Sequence, residues 1–208
     1  MFYMLSKNVT EVLLMKKIIA AMLVGIMAVS CYSCANHSSE TPSNTASKIF
    51  EDTPLELLDE VWDEYSDDEK FPAAGGDFSE ENMNMDGPGK YGLSDAEALD
   101  SSFGLPADSV DKIEDAASLM HMMNANTFTC SVFRVKEDVK SSEIAGEIFD
   151  NLHDRQWVCG IPDKIVIIIV GRDVVTVFGE AELVNTFKSK VIDKYSAAQI
   201  NAEENISI

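Results

Sequence analysis

The spacing of apolar residues changes from segment to segment along this chain, and each period predicts an element. Leu55, Leu58, Val61, Trp62 and Tyr65 recur at three and four residues against Glu56, Asp59, Glu60, Asp63 and Glu64, which is an amphipathic helix with one face turned to a core. Thr53-Pro54-Leu55-Glu56 supplies its start: a capping Thr, Pro at the first helical position and Glu three residues after the cap. Ser94-Asp95-Ala96-Glu97 forms a second capping box, opening a short helix that stops near Gly104. One further helical turn is expected over 108–114, then extended chain through 116–123. Asn124-Ala125-Asn126 has the chemistry to reverse the chain into 127–135, where Phe128, Cys130 and Val132 alternate with Phe133 and Val135.

Ile144, Ala145, Ile148, Phe149 and Leu152 share one helical face over 141–152. The run IVIIIV at 165–170 has no polar alternation, so it predicts a central strand covered on both faces, with Gly171-Arg172 turning it into a partner at 173–178. A last helix over 180–195 carries Leu183, Val184, Phe187, Val191 and Ile192, and 197–208 shows no core pattern and is expected to fray. These elements predict one α+β domain over 51–196, two layers deep, with a mainly antiparallel sheet of about four strands and helices on one face.

Residues 66–92 break every period. Gly75, Gly76, Gly87, Pro88 and Gly89 make this a long loop, and a loop of that length inside a domain is functional or disordered. Phe71, Phe78, Met83, Met85 and Tyr91 are costly to expose. They are expected to pin the loop to the core, and they are also the candidate lining of a ligand cleft.

Ahead of the domain lies an export leader. Lys16 and Lys17 precede an uncharged apolar run at 18–27, and Ala28 and Ser30 place small side chains before Cys31, the three parts of a signal peptide over 1–30. Translation is expected to start at Met15, because 1–14 adds Glu11 ahead of a complete signal. The apolar run is shorter than the roughly 20 residues a bilayer span requires. Small residues running into a cysteine resemble the lipobox of bacterial lipoproteins, and that likeness implies diacylation of the Cys31 thiol before cleavage leaves it first in the mature chain. The favoured pattern has Leu where this chain has Ala28, so cleavage into a soluble secreted protein is the alternative. Residues 31–50 then form the lipidated cysteine and a tether, whose polar stretch 35–47 has a root-mean-square span of roughly 20 Å. Lipidation of Cys31 would also remove the C-x-x-C redox chemistry of Cys31-Tyr32-Ser33-Cys34.

Charge and candidate chemistry narrow the function further. A formal net charge of −20 repels phosphate backbones, so nucleic acid is excluded as a partner. Cys130 and Cys159 are a possible disulfide in an oxidising compartment, closing a loop worth about 3 kcal/mol, or two buried thiols. His121 and His153 are the domain's histidines, and neither has a nucleophile and orienting carboxylate placed by the sequence. No catalytic residue is assigned, and His153 reads as a charge at a helix C-terminus. Met120-His121-Met122-Met123 offers ligands suited to Cu(I), with Met83 and Met85 as further sulfurs. A strand would turn Met120 and Met122 to one face and His121 and Met123 to the other, so core packing is expected, with no metal and no cofactor.

Phe103-Gly104-Leu105, Met123-Asn124-Ala125-Asn126, Val132-Phe133-Arg134-Val135-Lys136, a helix and a strand pair broken by Gly171 resemble an uncharacterised domain family of predicted lipoproteins from gut-dwelling Firmicutes, over about 53–191. The resemblance implies a lipobox leader and a polar tether and carries no assigned activity. In that family an acidic residue commonly follows the Met-Asn-Ala turn, where this chain has Thr127-Phe128, so no role for that acid transfers. The expectation is a membrane-tethered extracytoplasmic lipoprotein, a non-enzymatic binding or structural module meeting an envelope protein, peptide or glycan through the 66–92 loop. An exported hydrolase, its site assembled only in the fold, is the alternative.

Overall fold

Helix starts follow the capping chemistry. In a computed structural model, which describes residues 52–206 apart from Phe78 and Cys159, the amide of Thr53 donates to Glu56 Oε2 at 2.7 Å while Glu56 N donates to Thr53 Oγ1 at 3.2 Å. The reciprocal pair satisfies amides that an unfinished helix end leaves open, and α1 (Pro54–Asp63) begins there. The leader, Cys31 and the tether lie outside the described residues, and with them the signal, lipidation and C-x-x-C expectations. After α1 come β1 (Ala73–Ala74), β2 (Gly89–Lys90), α2 (Ala96–Phe103), a 3-10 helix (Ala107–Lys112), β3 (Ile113–His121) and β4 (Phe128–Val135). The chain continues with α3 (Ser141–His153), β5 (Lys164–Val170), β6 (Asp173–Gly179), α4 (Ala181–Lys194) and β7 (Gln199–Asn205). The cap of α2 is Asp95, one residue later than the capping box predicts, because its carboxylate reaches Ala98 N at 2.9 Å.

The sheet is larger than the sequence suggests: seven strands, every neighbouring pair antiparallel, in the order β1-β3-β4-β6-β5-β7 with β2 also on β3. Three strands escape a period-based reading for different reasons. Both β1 and β2 are two residues long, Ala-Ala and Gly-Lys, too short to show alternation. The expected frayed tail is in fact β7, a polar strand laddered on β5 from Gln199 to Asn205. The expected loop at 66–92 is likewise an ordered detour, leaving the edge of β3 at β1 and returning to it at β2. A Cβ on Gly75 would stand 2.3 Å from Gly89 N, and one on Gly89 would stand 2.5 Å from Gly75 C. Two backbones in contact leave room for glycine alone.

Helices cover both faces, not one, so the domain has three layers. β4 passes through α3 to β5, and β6 passes through α4 to β7; each crossover skips one strand in the same direction across the sheet. Since β4 and β6 are antiparallel, crossovers of one hand must lay their helices on opposite faces. α1 and α4 bury Leu57, Val61, Val184 and Phe187 against Leu119, Phe128, Val166 and Val177. On the other face α2 and α3 bury Leu99, Phe103, Ile144 and Ile148 against Phe133, Ile165, Ile167 and Val174. Every residue of β6 is buried, which is why the apolar runs of β5 and β6 lack a polar period.

Candidate functional site

At one end of β3 the chain leaves the sheet and makes one wall of a cavity. Strand β3 ends at His121; one bond more continues its register with β1, and the corner beyond is held by local bonds. Met122 N donates to Pro72 O at 2.9 Å, Met123 N to His121 Nδ1 at 3.2 Å, and Thr127 N to Asn124 O at 3.0 Å. Asn126 Nδ2 then donates to Val158 O and Gly160 O at 3.0 and 2.8 Å, fastening this corner to the segment before β5.

The opposite wall is the outward part of the detour. Gly75 and Asn84 exchange backbone bonds of 2.8 and 2.9 Å, and Asp77 closes the turn between them. Its carboxylate accepts from the hydroxyl and amide of Ser79, from Asn82 Nδ2 at 2.8 Å and from Gly92 N at 3.0 Å. The Ser79 hydroxyl bond, with the others, holds the carboxyl down to about 2, so Asp77 is an anion at any physiological pH.

Between these walls is a cavity of about 310 Å³ bordered by Met83, Met85, Met120, His121, Met122 and Met123, with Asp77 and the glycine turn. Met83, Met85 and Met122 are about half exposed and Met123 is 81% exposed, while Met120 packs partly into the α2–α3 face. These five are all the methionines among the described residues, and none is in the fully buried core. Core packing, expected for Met120 to Met123, holds in part for Met120, within β3, and not for Met122 and Met123, which lie beyond the end of the strand and are exposed. The His121 ring stacks on Phe71 with centroids 5.5 Å apart. Because its Nδ1 accepts the Met123 amide, the neutral ring carries its proton on Nε2.

The structure divides the expected loop residues. Phe71 pins α1 to the sheet, with its ring 5.1 Å from Trp62 and 4.9 Å from Phe128. Tyr91 sits against Phe103 at 4.9 Å on the other face. Two pins on opposite faces do not make one cleft, whereas Met83 and Met85 do line the cavity; Phe78 lies outside the described residues. Cys130 is a free, fully buried thiol beneath α1 and α4, its pKa pushed up by burial, and Cys159 lies outside the described residues. His153 ends α3 on the surface, its Nδ1 2.8 Å from Glu204 Oε2, a contact that pushes the imidazole up. Among the described residues neither histidine hydrogen-bonds to a Ser, Thr or Cys, and no three His, Cys, Asp or Glu gather as a metal site.

A second hollow of about 320 Å³ adjoins the first and shares Met120 and Ala125 with it. There Arg155 lies over the Trp157 ring at 5.3 Å and donates to Ser101 O at 3.0 Å and to Asp100 O. Its guanidinium thereby fastens α2 to the chain after α3. The methionine set was visible in the sequence only as two separate clusters, 83–85 and 120–123; the meeting of those clusters depends on β1 and β2 pairing with β3. Comparison with family models, with curated proteins and with solved structures found no match for this chain.

Proposed function

We propose that the chain is a lipid-anchored extracytoplasmic binding module, related to the uncharacterised lipoproteins it resembles, and that its ligand sits in the methionine-lined cavity. The observation that carries the binding half is the placement of all five described methionines around one exposed hollow. Flexible, polarisable thioethers accept varied apolar or soft partners, and exposing Met83, Met85, Met122 and Met123 costs transfer free energy. Such a lining favours a compact apolar or soft ligand over a glycan. The anchoring half rests on the leader running into Cys31, since two or three acyl chains hold a protein stably on a membrane and a single chain does not. The strongly acidic body keeps its distance from anionic headgroups, and the polar tether accommodates that separation.

Each half has its own test. Cys31→Ala moves the protein from the membrane to the soluble fraction on this reading; retention in the membrane removes the anchor. Native mass spectrometry of the detergent-extracted full chain should show a ligand-bound species that the Met85→Asp/Met122→Asp variant lacks. An identical spectrum for both proteins removes the cavity as the binding site.

A further inference from the structure

We propose that the methionine-lined cavity is a site for a soft monovalent metal ion, Cu(I) or its redox-inert counterpart Ag(I), held by thioether sulfurs of Met83 and Met85 from one wall and Met122 from the other. The inference deepens the cavity reading above and is independent of the lipid anchor. Thioethers are soft, uncharged donors, and among biological cations they select Cu(I) over Zn(II), Mg(II) or Ca(II). Sulfur is the concentrated element at this place: five methionines border the cavity. Partial exposure of Met83, Met85 and Met122 leaves their sulfurs reachable from solvent, and three rotatable bonds let each swing onto an ion. Met120 lies deeper, packed partly into the α2–α3 face, and Met123 stands at the rim.

One further group on the lining, Asp77, fits a cation rather than an apolar molecule, and His121 leaves ligation to sulfur. Asp77 sits on the wall as a fixed anion whose oxygens are taken up by Ser79, Asn82 and Gly92. It is therefore no ligand, yet it supplies the counter-charge that three neutral sulfurs cannot. His121, whose Nδ1 is engaged by the Met123 amide, presents an N–H rather than a lone pair at Nε2. Donor capacity at this site thus falls to sulfur.

Thiolates outcompete thioethers for these ions, so the test uses the lipidated full chain in detergent, its Cys31 thiol already acylated, with Cys34 and Cys159 changed to Ser and ¹³C-methyl-labelled methionine. Ag(I) is the probe, read at the methionine methyl resonances. The expected result is saturation at one ion per chain with shifts at Met83, Met85 and Met122, and none on adding Zn(II). Loss of a ligand costs at least what loss of a second-sphere partner does, so Met83→Leu and Met122→Leu should each weaken Ag(I) binding at least about tenfold. Leucine keeps the cavity apolar and the fold intact, so those variants report on sulfur alone. Methyl signals that ignore Ag(I), or shifts that survive both leucine variants, overturn the proposal. If Ag(I) moves no methyl while Met85→Asp/Met122→Asp still abolishes the co-purifying species, the metal assignment falls and the binding reading stands.

Discussion

Thr176 sits at the centre of the sheet, fully buried, with a hydroxyl that has no hydrogen-bond partner among the described residues, and Ser131 beside it on β4 is in the same condition. The neighbour on β3, Ser118, differs because its Oγ accepts from Gly76 N at 3.0 Å. That bond ties the row of hydroxyls to the glycine turn of the cavity wall. A buried polar group left unpaired costs about 1–3 kcal/mol. Thr176→Val keeps the shape and removes the orphan, so it should raise unfolding stability by about 1 kcal/mol in denaturant titration, whereas Ser118→Ala should lower it and loosen the Met83–Met85 wall. Residue identities of this kind were legible as polar interruptions in apolar runs. What they touch was not, since pairing across β3, β4 and β6 joins positions far apart in the chain. The methionines teach the same lesson: alternation assigns faces only while a strand lasts, and β3 ends at His121.

Among the elements, the hairpins and helices with strong periods stand where the sequence places them, from the Thr53 capping box to the tight turn at Gly171, whose φ of 63° suits glycine. Elements carried by pairing or charge were illegible. β7 is the clearest case: two adjacent acids, one reaching toward each helix layer, secure a mainly polar strand. Glu203 reaches Lys164 at 2.5 Å and Lys188 at 2.8 Å on the α4 side, and Glu204 reaches His153 at the end of α3. The Lys164 hydrogen bond, foremost, holds the Glu203 carboxyl low. The Glu204 contact raises the His153 pKa above its ordinary 6.5, so its stabilisation is complete below that ordinary value and is lost as pH rises through the raised one. NMR titration should therefore show His153 above 6.5, returning toward it in Glu204→Gln. Protection factors of the β7 amides, which remove the intrinsic base-catalysed rise of exchange, should fall across that alkaline step in the parent chain and stay level in the variant. At the other end of the ladder, Arg134 grips Asp173 with two bonds of 2.8 and 2.6 Å and also donates to Asp52 O. Burial pushes the Asp173 carboxyl up while the guanidinium opposes it. Arg134→Met strands that carboxyl in the core and should cost about 3–5 kcal/mol in chemical denaturation.

For the whole molecule, the fold class was readable and the layering was not. Apolar runs at 165–170 and 173–178 already demanded cover on two faces, but which helix supplies it follows from crossover handedness across a sheet whose strand order is set by long-range pairing. The cavity is a product of that assembly, as its walls meet only when β1 and β2 dock on β3. The position of β7 has one more consequence, for what the molecule avoids. Without it, β5 would offer Ile165 to Val170 as an open edge, an uncharged, proline-free, β-branched stretch of the kind that recruits other chains. β7 satisfies that edge with a mainly polar strand, in which Gln, Asn and Glu outnumber Ile200 and Ala202, and its charged residues make its own free side unattractive to further pairing. A chain stopped after Ala198 should accordingly form thioflavin-positive aggregates under conditions where the full chain stays monodisperse by light scattering. By that measure the least hydrophobic of the long strands is the sheet's guard against polymerisation.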